Sequence, residues 1–205
     1  MELPKPYYNE NGITIYHGDC RDILPLLPKV DLVLTDPPYG LLQDGSSATR
    51  RFGHNQTNGS VPWDTCITDN DCQALLGAGK NLMCWGGNHF MLGPTNGWLI
   101  WDKENDGKTF GECEYCWTSM KFAPRIFRHS SRAAKVHPTQ KPLDLVKWCI
   151  GFPSYPHTIL DPFMGSGTTL RAAKDLGRQC IGIEIEEKYC TIAVERLRQE
   201  VLPLF

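Results

Sequence analysis

Val30-Asp31-Leu32-Val33-Leu34-Thr35-Asp36-Pro37-Pro38-Tyr39 is the stretch that decides how the rest of the chain is read. Val30 to Thr35 is an apolar run of strand length and reads as a buried parallel strand. In open α/β sheets, ligands gather at the carboxyl end of such strands. At that end the next four residues bring a carboxylate, the carbonyls of a stiff Pro-Pro unit and an aromatic ring. A carboxylate and a fixed carbonyl can accept both hydrogens of a planar NH2 group, while the ring stacks on the base that carries it.

A second motif lies far downstream. Asp161-Pro162-Phe163-Met164-Gly165-Ser166-Gly167-Thr168-Thr169 follows the short apolar segment Thr158 to Leu160 and opens a helix-like stretch. In a strand-Gly-helix turn the missing side chains let backbone amides approach a ligand, and the following helix favours negative charge at its start. Gly165 and Gly167 supply that turn. Glu184, about twenty residues on at the end of the next strand, stands where such folds place an acidic residue on ribose hydroxyls. An adenosine-containing cofactor follows from these features. No third glycine completes a dinucleotide fingerprint, and no Gly-Lys-Ser/Thr marks a nucleotide-triphosphate loop. Asp161 before the turn suits a cationic ligand part, such as the amino group of a methionine moiety, which favours S-adenosylmethionine over NAD or ATP.

Outward from these motifs, Ile13 to Tyr16 reads as a strand, His17 to Cys20 as its turn and Arg21 to Leu27 as a short helix closed by Pro28. Gly40 to Asp64 is a long polar loop directly after Tyr39, and loops of that length are commonly functional. Leu82 to Trp85, Trp98 to Trp101, Glu114 to Thr118 and Arg125 to Phe127 are further strands. Pro142 to Phe152 reads as a helix with proline in its first turn. The last third is a βαβα unit: strand Thr158 to Leu160, helix Thr168 to Leu176 stopped by Gly177, strand Gln179 to Ile183, then helix Glu186 to Gln199. The fold class is therefore α/β, with a mostly parallel central sheet and helices on both faces.

The totals bound the function. With 205 residues, the chain has room for one well-buried domain spanning 1–205, with inserted loops near 40–64 and 119–136, rather than a catalytic domain plus a large recognition domain. A composition of 41% hydrophobic and 21% charged residues is that of an ordinary soluble protein. No apolar run approaches the roughly 18 to 20 residues of a membrane span, and Met1 to Tyr8 lacks the features of a signal peptide. A cytoplasmic protein is expected. Nine cysteines are an odd count scattered through strands and helices, which favours reduced thiols over a disulfide framework. Cys113-Glu114-Tyr115-Cys116 has the spacing of half a zinc site, but no second pair completes it, so no metal is expected. The net charge of −2 excludes a wholesale coating of nucleic acid but leaves room for a local basic face.

In its ordered motifs the chain resembles the DNA amino-methyltransferases of the N6-adenine and N4-cytosine family, in the permuted order called the beta class, and small phage-type members most. Asp36-Pro37-Pro38-Tyr39 matches the catalytic motif of that family and precedes the cofactor motif, Asp161 to Thr169. His137-Pro138-Thr139-Gln140-Lys141-Pro142 matches a third motif beside the methionine part of the cofactor. The resemblance implies a Rossmann-like S-adenosylmethionine-dependent methyltransferase fold with permuted motif order. It implies that Asp36, Pro37, Pro38 and Tyr39 form the catalytic element. Asp161, Phe163, Gly165, Gly167 and Thr168 would cradle the cofactor, with Glu184 on its ribose and Gln140 and Lys141 at its methionine end. Asp19, with neighbouring Cys20, resembles the position that contacts the cofactor adenine, although an Asp there equally suits a helix cap.

The expected reaction is direct in-line methyl transfer to the exocyclic N6 amine of adenine in DNA, after the base is flipped out onto Tyr39. Asp36 and the Pro37 carbonyl would make the amine nitrogen more tetrahedral and stabilise the charge that develops on it. No cysteine follows a proline, as a cytosine-C5 nucleophile would require. Cytosine-N4 is the alternative, disfavoured because cytosine members more often carry serine in place of Asp36. RNA or protein amide methylation and a catalytically silent DNA-binding module are the others. DNA contacts are expected from Arg50, Arg51, Lys121, Arg125, Arg128, Arg132 and Lys135, which can neutralise phosphates despite the overall balance. A homodimer and a place in restriction-modification are compatible with the reading.

Overall fold

The computed structural model describes residues 2–40, 66–107, 111–130, 141–152 and 156–199. The polar loop after Tyr39 and the residues Arg50, Arg51, Arg132, Lys135 and Gln140 lie outside them.

Strands β1 (Tyr8–Glu10) and β2 (Ile13–His17) form an antiparallel hairpin. Asn11 and Gly12 both take positive φ, 52° and 78°, the two-residue turn whose twist matches that of the strands it joins. Helix α1 (Cys20–Ile23) runs on into a 3-10 turn at Leu24–Leu26 before β3 (Val30–Thr35). Helix α2 (Asp69–Gly77) precedes β4 (Gly79–Trp85). Its start is a capping box, in which Thr68 Oγ1 takes the Asp71 amide and the Asp71 carboxylate takes the Thr68 amide. After a 3-10 turn at Gly87–His89 come β5 (Trp98–Asp102), β6 (Cys113–Thr118) and β7 (Arg125–Arg128). Helix α3 (Leu143–Ile150), β8 (Thr158–Asp161), α4 (Thr168–Asp175), β9 (Gln179–Glu184) and α5 (Glu187–Arg198) follow. The hairpin partner β1 and the helix α2 are additions to the elements read from sequence. A strand, β7, occupies part of the 119–136 segment.

The nine described strands make one sheet in the order β1-β2-β9-β8-β3-β4-β6-β5-β7. The five from β2 to β4 in that order are mutually parallel, while β6 is antiparallel to both β4 and β5. The period of two along each strand divides the core between two faces. Leu32, Leu34, Met83, Trp85 and Ile159 face one layer with residues of α3, α4 and α5. Val33, Leu82, Cys84 and Leu160 face the other with Ile23 of α1 and Cys72 and Leu75 of α2. Helices thus cover both faces, and the parallel strands read as continuous apolar runs because both of their sides are buried.

From β8 the chain crosses through α4 to β9 on one side, and from β3 through α2 to β4 on the other. The connections therefore diverge between β3 and β8, and a crevice opens beyond the carboxyl ends of those two strands. Asp36 and Asp161 stand there. None of the described helices is long and apolar enough to cross a membrane.

Candidate active site

Thr35 and Asp161 are the last residues of the adjacent strands β3 and β8, and Thr35 Oγ1 donates to Asp161 Oδ1 at 2.9 Å. The Phe163 amide donates to the same oxygen at 3.2 Å. Burial pushes the Asp161 carboxyl up to about 6, with the bonds from Thr169, Thr35 and the Phe163 amide holding it lower than burial alone would. Leu34, Asp36, Trp85, Lys141 and Gly165 join Asp161 in lining a cavity of about 90 Å3.

The turn after β8 is built for close approach. Gly165 and Gly167 take φ of 50° and 78°, a left-handed region that disfavours side chains. A Cβ at Gly165 would meet nothing within 4 Å, so this residue leaves space in front of the backbone. Gly167 instead packs backward, where a Cβ would lie 2.7 Å from that of Ala193 on α5. Glu184, at the end of β9, accepts from the Gly165 amide at 3.0 Å and from the Glu186 amide at 2.8 Å, one on each oxygen. Burial raises its pKa, and these amides oppose the rise. Each oxygen retains lone-pair capacity for a hydroxyl donor. Arg196 of α5 braces the turn from behind, its Nη1 lying 2.8 Å from the Ser166 carbonyl oxygen, 3.0 Å from Ser166 Oγ and 3.3 Å from Thr168 Oγ1. Sequence reading passed over Arg196, because its role needs α5 folded back over the turn.

Around Asp36 the geometry is tighter. Lys141 Nζ lies 2.5 Å from Asp36 Oδ2 and 3.0 Å from Glu114 Oε2, and 5.4 Å from the centre of the Trp85 ring. Burial works against the ammonium, yet Asp36 and Glu114 outweigh it and hold its pKa well above the usual lysine range. The other carboxylate oxygen, Asp36 Oδ1, accepts from the Tyr39 hydroxyl. Burial, then the Asp36 charge, pushes the Tyr39 phenol well above its ordinary range. The Tyr39 ring stacks on His89, with centroids 5.2 Å apart and planes at 24°, and leans on Phe90 at 5.8 Å. Pro37 is buried and Pro38 half-buried. Trp85 Nε1 is a buried donor with no partner among the described groups.

Asp19 lies at the same edge, since the neighbouring Gly18 amide donates to the Glu184 carbonyl at 2.9 Å. Its carboxylate caps α1, accepting from the Arg21 amide at 2.9 Å. Cys20 follows as the first residue of α1, its thiol pushed up to about 12 by burial and by Asp19. Phe163 is half-buried against the core.

The three described members of the basic set do not converge. Because β7 runs parallel to β5, Arg128 ends at the edge that carries Asp36, whereas Arg125 begins β7 about 10 Å away and Lys121 precedes it. All three are exposed, and Arg128 Nε pairs with Asp102 Oδ2 at 3.3 Å. Lys121 borders an open cleft with Trp98 and Phe122 at the far end of the sheet. Cys113 and Cys116, three apart on β6, point to opposite faces and cannot share a metal ion, and no cluster of three metal-ligating side chains occurs among the described residues.

Fold and site together define a methyltransferase-type α/β protein with permuted motif order, the Asp36-Pro37-Pro38-Tyr39 tetrapeptide coming before the glycine turn. Residues 85–195 match the N6/N4 DNA methylase family, and the chain belongs to it. It is 28% identical to the type II methyltransferase M.HinfI of Haemophilus influenzae, over 96% of this chain and 71% of that one. Among solved structures it is similar to the M1.HpyAVI-SAM complex, with a TM-score of 0.65 and 22% identity over 91% of this chain and all of that one. The cytosine-N4-specific PvuII DNA methyltransferase superposes with a TM-score of 0.66 and 17% identity, over 97% of this chain and 90% of that one.

Proposed function

We propose that the chain transfers a methyl group from S-adenosylmethionine to the N6 amine of adenine in DNA, on a base flipped out of the helix. The observation that carries the reading is that Asp36 and Asp161 line one cavity, at the point where the sheet's connections diverge.

The residues fit such a cofactor. Gly165 leaves open space before the backbone, Glu184 keeps acceptor capacity for ribose hydroxyls, and the carboxylate of Asp161 suits a cationic group. Trp85 Nε1 is a buried donor in want of an acceptor, and such a group costs about 1–3 kcal/mol until a ligand supplies one. Lys141 borders the same cavity, its ammonium held between Asp36 and Glu114. Gln140, outside the described residues, belongs to the same proposed surface, as do Asp19 and Cys20 for the adenine. When bound, the cofactor supplies an electrophilic methyl group on a sulfonium.

Asp36 accepts the amine hydrogen of the base. Its Oδ1 is held by the Tyr39 hydroxyl, so the entering amine displaces that hydroxyl while Lys141 keeps Oδ2 in place. Tyr39 then offers its ring to the base. As the amine nitrogen becomes positive, the Asp36 carboxylate stabilises it, and positioning supplies much of the rate. Arg128 is proposed to meet phosphates on the active edge, and Arg50, Arg51, Arg132 and Lys135, outside the described residues, are proposed as further phosphate contacts. Lys121 and Arg125 would reach only DNA that wraps past the sheet's far end. Adenine is preferred to cytosine-N4 because an aspartate opens the tetrapeptide. The bacterial cytoplasm is the compartment this activity implies.

The test is transfer of labelled methyl groups to unmethylated DNA, followed by nucleoside digestion and mass spectrometry, with Asp36→Ala as control. N6-methyladenine that is absent with the variant is the expected result. N4-methylcytosine would replace the base assignment, and no labelled nucleoside from either duplex or single strands would sink the proposal.

A further inference from the structure

Four charges run in a line from β5 to the acceptor carboxylate. Lys103 Nζ lies 2.6 Å from Glu114 Oε1, Glu114 Oε2 lies 3.0 Å from Lys141 Nζ, and Lys141 Nζ lies 2.5 Å from Asp36 Oδ2. Lys103 follows β5 directly and Glu114 sits on β6, where the register pairs it with Trp101. Neither Lys103 nor Glu114 lines the cavity between Asp36 and Asp161. Of the four, only Lys141 and Asp36 do, so the contacts of the outer pair reach the site by way of Lys141.

One counterion would satisfy the buried Lys141 ammonium, and it has two. A single Lys-Asp pair would leave the ammonium free to swing about Asp36. Glu114 removes that freedom. It fixes Lys141 from the side away from the cavity, and with two cations and two anions the group sums to zero. Burial alone would raise the Glu114 carboxyl, but Lys141 and then Lys103 hold it down at about 2, so the charge persists throughout the neutral range.

We propose that Glu114 is a positioning residue for methyl transfer: steadied by Lys103, it holds Lys141 and thereby sets the orientation and acceptor strength of Asp36. The proposal rests on the reading of Asp36 as the acceptor of the amine hydrogen. Glu114→Gln keeps the shape and removes the charge, leaving the group at +1 beside the developing cation. Lys103→Met leaves the cavity untouched and frees Glu114 on its outer side.

The experiment uses the full chain with S-adenosylmethionine and unmethylated DNA, both saturating, and compares single-turnover rates, cofactor affinity by calorimetry and thermal midpoints. Glu114→Gln is expected to slow transfer about tenfold to a hundredfold with unchanged cofactor affinity. Glu114→Asp should recover part of the rate, and Lys103→Met should slow transfer less than Glu114→Gln. A wild-type rate in Glu114→Gln, or a fall explained wholly by weaker cofactor binding or by unfolded protein, overturns the proposal. An independent arm records the side-chain ammonium resonances of 15N-lysine-labelled protein, with Lys141 assigned through Lys141→Met. A Lys141 signal protected from exchange in wild type and lost or shifted in Glu114→Gln supports the proposal, and an unprotected or unmoved signal overturns it. Absence of methyl transfer by the wild-type chain defeats the proposed function instead and leaves the resonance arm to decide the role of Glu114.

Discussion

Thr35 Oγ1 donates to Asp161 Oδ1 across 2.9 Å, and this bond ties two motifs that lie 126 positions apart. It sits where β3 and β8 end side by side, so the tetrapeptide proposed to hold the amine begins directly after the side chain that steadies Asp161. Thr35 and Asp161 are both buried, 1% and 4% exposed. Thr35→Val keeps the shape and deletes the donor. It should cost about 1–3 kcal/mol in urea denaturation and push the Asp161 carboxyl higher still. An unchanged midpoint would show that the Phe163 amide and Thr169 suffice for Asp161.

The Asp161 carboxyl also predicts a pH dependence. Its folded value of about 6 lies above the ordinary carboxylate value near 3.9, so between these the native state holds more of its proton than the unfolded chain does. Its contribution to stability is therefore full below about pH 4 and is lost as pH rises through about 6. Relative to wild type, Asp161→Asn should gain stability across that window, on the order of 3 kcal/mol by pH 7. Glu114 acts in the opposite sense, contributing above its unfolded pKa and losing that contribution as pH falls toward 2. S-adenosylmethionine should bind wild type more tightly as pH rises through about 6, because the ionised carboxylate is the form a cation prefers. Affinity that is flat with pH, measured by calorimetry, would remove Asp161 from the cationic end of the site.

Gly165 and Gly167 stand two residues apart in the same turn and should fail differently. Both have positive φ, so any side chain there costs roughly 1–2 kcal/mol. Gly165→Ala adds its methyl to open space, and should lose cofactor affinity while the fold survives. Gly167→Ala drives its methyl to 2.7 Å from Ala193 Cβ, and should lower the thermal midpoint further. Ala193→Gly in the same chain should restore part of that loss. Equal effects of the two substitutions, or no rescue, would contradict the assignment of one glycine to the ligand and the other to α5.

The parts of this site that were legible in sequence are those written in contiguous residues. Val30 to Thr35 and Thr158 to Leu160 are apolar because both faces of the parallel strands are covered, and the motifs that follow them inherit their place from the strand ends. Asn11-Gly12 and the Thr68-Asp71 capping box are local signals too, but β1 is three residues long and α2 buries only Cys72 and Leu75 in the core, so apolar periodicity reveals neither. The Lys103-Glu114-Lys141 line and the brace from Arg196 depend on pairings across strands and on the return of α5, which no local pattern encodes. Lys121, Arg125 and Arg128 look like one basic stripe in sequence, yet the direction of β7 separates them along the height of the sheet.

Gly86 controls the ring that is proposed to receive the base. It follows β4 at a φ of 66°, and a Cβ there would overlap the edge of the Tyr39 ring, well within van der Waals contact of Cε1 and Cζ. The ring cannot slide away from it, because His89 and Phe90 pack against it at 5.2 and 5.8 Å. Relief requires Tyr39 to leave Asp36 and the position in which it meets the base. Gly86→Ala should therefore slow methyl transfer about a hundredfold, since displacements near 1 Å at a reacting centre have effects of that size, and cofactor binding should survive. Tyr39→Phe separates the two uses of this side chain. Stacking needs only the ring, and the hydroxyl competes with the amine for Asp36 Oδ1, so Tyr39→Phe should retain most of the activity that Tyr39→Ala loses. Equal loss in the two variants would make the hydroxyl, and not the ring, the part of Tyr39 that transfer requires.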